Sequence, residues 1–272
     1  MKEIKKLTFN PKTLDNKMVV DSLEAVSQLE DTEPIYLVGG VGIQSYIPSS
    51  CRRPTSDVDY SIVRPLNYSD FKQITHPVTE FLQDNGYSVE PKKGSRACML
   101  FVSEKSSSEG LAVEFSRRNE QSFNPRRERL ERELQNSRIK ILEGRKRSYR
   151  VASPEDLAVP KLVRLVNSLK RNPSFTSFFT GNLEPLSDSN IRKVLSKISS
   201  FREQAMISPA DAPLAERLRV VSDLYDVRIL AEIAGFNKDY FNSAKSDWDT
   251  THFQSEEKDR VFNSIFSEHG LI

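Results

Sequence analysis

Asp57 and Asp59 are one residue apart in the run Arg53-Pro54-Thr55-Ser56-Asp57-Val58-Asp59-Tyr60. Alternate residues of a strand share a face, so a strand here points Asp57, Asp59 and Ser61 one way and Val58, Tyr60 and Ile62 the other. Upstream, the apolar run Ile35-Tyr36-Leu37-Val38 ends on Gly39-Gly40. Glycines permit a tight turn whose backbone N–H groups face an anion. Two carboxylates beside such a turn suit a divalent cation, Mg2+ or Mn2+, holding the triphosphate of an NTP. A neighbouring strand commonly adds a third acid. In Leu111-Ala112-Val113-Glu114-Phe115-Ser116 that acid is Glu114, with Val113 and Phe115 on the core side. The alternative for Glu114 is a solvated residue of an edge strand.

These residues need an α/β frame. Periodicity predicts a helix over 18–30, strands at 35–38 and 57–63, and a short helix-like segment after the glycines. Ser69-Asp70 opens a helix that stops at Gly86, with Pro77 marking a kink or break. Strands are predicted at 86–90, 97–103 and 111–116, the last two joined by a polar turn over 105–110. A helix near 125–136 and a hairpin at 138–142 and 148–152 complete this part.

The texture then changes. Ser153-Pro154-Glu155-Asp156 is a helix-start signal, and Ser208-Pro209-Ala210-Asp211 repeats it. Helices are predicted near 155–170, 189–206, 212–234 and 255–268. The linker 171–188 is polar, and its Phe175, Phe178 and Phe179 are read as anchors to a core. The expected organisation is an α/β domain with a mixed twisted sheet over residues 1–150, then a helical domain over 151–272, with the site in the cleft between them. A chain of 272 residues is long enough for two domains.

Composition narrows the chemistry. The two cysteines, Cys51 and Cys98, are far apart, which argues against a disulfide framework and fits a reducing cytoplasm. The three histidines, His76, His252 and His269, lack ligand spacing, which argues against structural zinc. No apolar run approaches a bilayer-spanning length, so a soluble cytoplasmic protein without membrane association is expected.

The net charge of +2 is unevenly placed. Residues 117–150 hold twelve Arg and Lys against five Glu, which leaves the remainder at −5. Arg126, Arg127, Arg129, Arg145, Lys146 and Arg147 are candidates for contacts to an RNA backbone. A solvated helix laced with ion pairs is the competing reading. Gly40-Val41-Gly42-Ile43-Gln44-Ser45 nearly matches a dinucleotide fingerprint. However, the acids come before the apolar run of the next strand, Ser45 stands at the third glycine, and no second βαβ half follows.

Taken together, Gly39-Gly40 and the Arg-x-Thr-x-Asp-x-Asp run at 53–59 resemble the polymerase-β-like nucleotidyltransferase superfamily. Val151-Ala152-Ser153-Pro154-Glu155-Asp156-Leu157 with Lys161-Leu162, and Arg219-x-x-Ser222-Asp223-Leu224-Tyr225-Asp226, are similar to segments of the AbiEii/AbiGii-type nucleotidyltransferase toxins of toxin–antitoxin and phage-defence systems. The resemblance implies metal-dependent transfer of an NMP group from an NTP to an acceptor hydroxyl, with the tRNA 3′ end as acceptor and a cognate antitoxin as partner. It implies Asp57 and Asp59 as the metal pair, Lys161 on the triphosphate and Asp223 as a further site acid. The expected catalytic set is Asp57, Asp59, Lys161 and Asp223. The expected nucleotide contacts are Gly39, Gly40, Ser45, Arg53, Ser56 and Lys161. The sequence departs from the family at Pro160, which sits directly before Lys161, at Ser222, where the family has lysine, and at Glu114, where aspartate is more usual. A protein or small-molecule acceptor (an antibiotic, for instance), or a non-catalytic nucleotide-binding module, is the alternative function.

Overall fold

The computed structural model describes residues 8–9, 11–105, 107, 109–178, 187–207, 211–248, 258, 260–262 and 265. The predicted helix over 255–268 and the acids Asp249, Glu256, Glu257 and Asp259 lie almost wholly outside these residues, as do Phe179 and most of the 208–211 start signal. The chain divides into two compact units, Met1–Ser153 and Pro154–Ile272. Among the described residues no helix is long and apolar enough to cross a membrane.

The first unit is a mixed α/β fold. Its elements are β1 (Thr8–Phe9), α1 (Lys17–Ser27), β2 (Ile35–Val38), α2 (Gly39–Gln44), β3 (Asp57–Ile62), α3 (Tyr68–Ile74), α4 (His76–Asp84), β4 (Tyr87–Lys93), β5 (Ala97–Glu104), β6 (Glu109–Ser116), α5 (Glu120–Phe123), α6 (Arg127–Gln135), β7 (Arg138–Ile141) and β8 (Ser148–Val151). The sheet runs β4-β5-β6-β3-β2-β8-β7, and β1 adds onto β6. The β3–β6, β2–β8 and β1–β6 pairs are parallel and the others antiparallel.

Local chemistry explains most boundaries. Asn16 caps α1 by accepting from the Met18 amide at 3.0 Å. Asn67 does the same for α3, accepting from the Ser69 and Asp70 amides. The helix expected to run from Ser69 to Gly86 is two helices. Thr75 ends α3, and Pro77 occupies the first turn of α4, where its missing N–H costs nothing.

The alternation expected for β3 is present. Val58, Tyr60 and Ile62 are fully buried. Tyr60 stacks on Phe115 of β6 at 5.4 Å, and Phe71 of α3 meets Phe115 edge-on at 5.6 Å. On the other face, Tyr36 of β2 pairs in register with Ser61 and donates its hydroxyl to Glu133 of α6 at 2.5 Å. Helices thus cover both faces, and α6 lies over the face that carries the aspartates.

The second unit is helical: α7 (Pro154–Arg171), α8 (Asp188–Ile207), α9 (Ala212–Ile229) with a π-helical extension over Leu230–Ala234, and α10 (Lys238–Ser246). A 3-10 segment at Pro173–Phe178 buries Phe175 against Phe178, with ring centres 5.8 Å apart. The helix α7 runs on through Pro160. Asp211 caps α9 by accepting from the Leu214 amide at 2.9 Å. The helix α10 has no counterpart in the sequence reading. It is docked by two acids of the α7 start: Glu155 accepts from the Asn237 amide at 2.6 Å and Asp156 from the Tyr240 hydroxyl at 2.7 Å.

Candidate active site

Parallel pairing of β3 with β6 places Asp59 level with Glu114 and Asp57 level with Ala112. Paired residues share a face, so Asp57, Asp59 and Glu114 form one acidic patch on the sheet. Antiparallel pairing with β2 sets Val38 beside Asp59, so the chain turns into Gly39 next to that carboxylate. Gly39 has φ +69°, a left-handed conformation, and the space of its absent Cβ is occupied by the Asp59 carboxylate. Gly40 packs closely on Thr55, whose hydroxyl donates to Asp57 Oδ1. Thr55 is itself fixed by paired backbone bonds with Lys12 at 2.8 Å.

Burial raises the Glu114 carboxyl above the usual carboxylate range, and the charge of Asp57 raises it further. A cation at the patch would relieve that repulsion. The donors are hard oxygens of the kind magnesium takes. Among the described residues no group of three or more His, Cys, Asp or Glu side chains converges as a metal cage. Magnesium does not need one, since it keeps several waters and binds through one or two carboxylates plus substrate phosphates.

The other expected nucleotide contacts divide. Ser56 sits at the entrance to β3, and its carbonyl accepts from the Ala112 amide at 3.2 Å. The Arg53 carbonyl accepts from Gln44 at 2.9 Å. Ser45 lies elsewhere: it accepts from the Tyr149 hydroxyl at 2.9 Å and donates to the Val41 carbonyl. With Arg52, Lys140 and Tyr149 it lines a cavity of about 320 Å³ that none of the three carboxylates reaches.

Lys161 and Asp223 meet inside the helical unit, both almost fully buried. Lys161 Nζ lies 3.1 Å from Asp223 Oδ1 and 2.8 Å from Asp226 Oδ2. Arg164 forks onto both Asp223 oxygens at 2.9 Å. Burial opposes the charge on Asp223, but Lys161 and Arg164 outweigh it and bring its pKa down to about 2. Arg219 lies one turn before Asp223 on α9, a spacing that permits an ion pair. Arg219 instead pairs with Glu216 at 3.2 Å.

The Arg-rich stretch is not one open face. Arg145 is tied to acids of α1 while staying 35% exposed, bonding the fully buried Asp21 at 2.8 Å and Glu24 at 3.2 Å. Arg129 lies 3.4 Å from Glu133, and burial lowers its pKa. Arg126 donates to the Ser122 carbonyl, and Arg127 lies over the Phe123 ring. Lys146 and Arg147 are exposed in the β7–β8 turn.

No family model matches the sequence, and no curated protein matches it. Among solved structures, the chain is similar to the crystal structure of an antigenic nucleotidyltransferase-like protein from Paracoccidioides brasiliensis. The identity is 15%, covering 72% of this chain and 93% of that one, with a TM-score of 0.39. The functional reading therefore rests on the chain's own residues.

Proposed function

We propose that this protein is a nucleotidyltransferase that moves an NMP group from an NTP to an acceptor hydroxyl, with RNA as the acceptor and a toxin role of the AbiEii/AbiGii kind. One observation carries the reading: Asp57, Asp59 and Glu114 share one sheet face, with the Gly39 turn seated against Asp59. In this reading Asp57 and Asp59 would hold Mg2+ or Mn2+. When bound, the ion neutralises charge that develops on the phosphates. The acceptor oxygen bonds to the α-phosphorus as the bond to the bridging oxygen breaks, and pyrophosphate leaves. Glu114, level with Asp59 on the neighbouring strand, takes the hydroxyl proton. Gly39 and Gly40 let backbone N–H groups approach the phosphates. The surplus of positive charge over 117–150 supports RNA over a neutral acceptor.

The test is incubation of the full chain with each labelled NTP, magnesium and total RNA or total protein, followed by a denaturing gel. Label in the tRNA band, absent from Asp59→Asn, is the expected result. Label in protein alone moves the acceptor to a protein hydroxyl. No label in RNA or protein removes both macromolecular acceptors, and no pyrophosphate release with small-molecule hydroxyls added as well leaves a nucleotide-binding module and overturns the transferase reading.

A further inference from the structure

A second cationic feature lies wholly within the helical unit. Arg164, Asn167, Lys170 and Arg171 of α7 and Arg219 of α9 line an open cavity of about 360 Å³. The α7 residues follow helical spacing, which puts them on one face, and the row from Arg164 to Arg171 is about 10 Å long. That is longer than a single phosphate. All the charged side chains in the lining are cations.

Carboxylates outside the lining hold it. Glu216 takes Arg171 at 3.0 Å and Arg219 at 3.2 Å, which aligns two guanidinium groups from different helices. Asp223 fixes Arg164. Counting Lys161, Arg164, Lys170, Arg171 and Arg219 against Glu216, Asp223 and Asp226 gives five cations to three carboxylates, a surplus of two positive charges. Guanidinium groups already held in place lose less freedom on meeting a ligand. Lys170 adds an exposed ammonium, a mobile point charge suited to phosphate oxygen. Asn167 adds a neutral hydrogen-bonding side chain.

We infer that this pocket binds consecutive phosphates, supplied either by an RNA strand or by the triphosphate of a nucleotide. The transferase reading supplies only the identity of these ligands. The binding site itself stands on the pocket.

The experiment uses the full chain and measures binding of sodium tripolyphosphate by calorimetry and of a single-stranded RNA oligonucleotide by fluorescence anisotropy across a salt series. The variants are Lys170→Glu with Arg171→Glu, the neutral pair Lys170→Gln with Arg171→Gln, and Arg219→Gln. All three positions are solvent-exposed or nearly half exposed, so circular dichroism should match the parent. The charge-reversed pair is expected to weaken at least one ligand about tenfold or more. For RNA, the slope of log affinity against log salt should fall by about 0.7 for each phosphate contact removed. A loss confined to tripolyphosphate assigns the pocket to the nucleotide, and a loss confined to RNA assigns it to the strand. Unchanged affinity for both ligands in all three variants overturns the inference. Parent protein that binds both ligands but never transfers a nucleotide sinks the transferase reading and leaves the pocket standing.

Discussion

Gly39 and Asp59 share one volume: the Asp59 carboxylate occupies the place where any side chain at Gly39 would begin. The end of β2 and the middle of β3 are thereby fitted to each other at the acidic patch. Gly39→Ala adds a clash to a left-handed backbone that costs about 1–2 kcal/mol for a non-glycine residue. It should move Asp59 and lower nucleotidyl transfer about a hundredfold, since small misplacements of a site group have effects of that size. Parallel kinetics and thermal unfolding of Gly39→Ala would show it. A variant as active as the parent would separate Gly39 from the site.

Asp57→Asn and Asp59→Asn should each reduce transfer by about a thousandfold, a loss typical of removing one electrostatic site group. The side chains are half-buried and the substitutions isosteric, so the circular dichroism spectrum should be retained. Glu114→Gln should lower the rate and flatten its rise with pH, because the glutamine cannot take the proton. Initial rates between pH 5 and 8 test all three variants.

Lys161→Ala leaves Asp223 and Asp226 facing each other without the ammonium between them. Breaking a buried pair this way costs about 3–5 kcal/mol. Arg164→Ala should cost about 1 kcal/mol, because the Arg164 side chain is 47% exposed. Urea unfolding of the two variants should rank them in that order, and equal midpoints would contradict the assignment of Lys161 as the central cation.

Glu30 supplies a pH dependence. Its carboxylate accepts from the Arg150 amide at 2.8 and 2.9 Å, yet burial dominates and raises its pKa to about 7 from an ordinary 4.5. The folded state therefore binds the extra proton between those values. The stability linked to Glu30 is full below about pH 4.5 and is lost as the pH rises through about 7. The size is about 3 kcal/mol at most. Denaturant midpoints at pH 5 and pH 8 should differ in the parent and converge in Glu30→Gln.

Arg145 and its neighbours should separate by role. Arg145→Ala removes a charged hydrogen bond to Asp21 and an ion pair with Glu24, and should cost about 1–2 kcal/mol of stability. Lys146→Gln with Arg147→Gln should leave stability unchanged and raise the apparent KM for RNA, with the KM for NTP unaltered. RNA kinetics identical to the parent in the double variant would return this turn to ordinary solvated surface.

What the sequence determined by itself was local. The period-two pattern of residues 57–62 set which side chains oppose the core, because strand geometry leaves no other arrangement of Asp57, Asp59 and Tyr60. The signals at Ser69-Asp70 and Ser208-Pro209-Ala210-Asp211 placed two helix starts to within a turn, since a cap acts locally, although the capping residues are Asn67 and Asp211. The tertiary structure decided everything that depends on which elements meet. Parallel pairing joins β3 to β6 across more than fifty residues and so brings Glu114 to Asp59. Helix packing gave Asp223 to Lys161 and Arg164, although Arg219 lies one turn away on the same helix. Arg145 found Asp21 across 124 residues, a partner that no local pattern announces. The two-residue β1 and the nine-residue α10 are too short for a repeat to stand out, and their partners, β6 and the acids of α7, reveal them. Periodicity and capping act over one or two turns, whereas strand register and ion-pair choice follow from burial against distant segments, which a linear pattern does not encode.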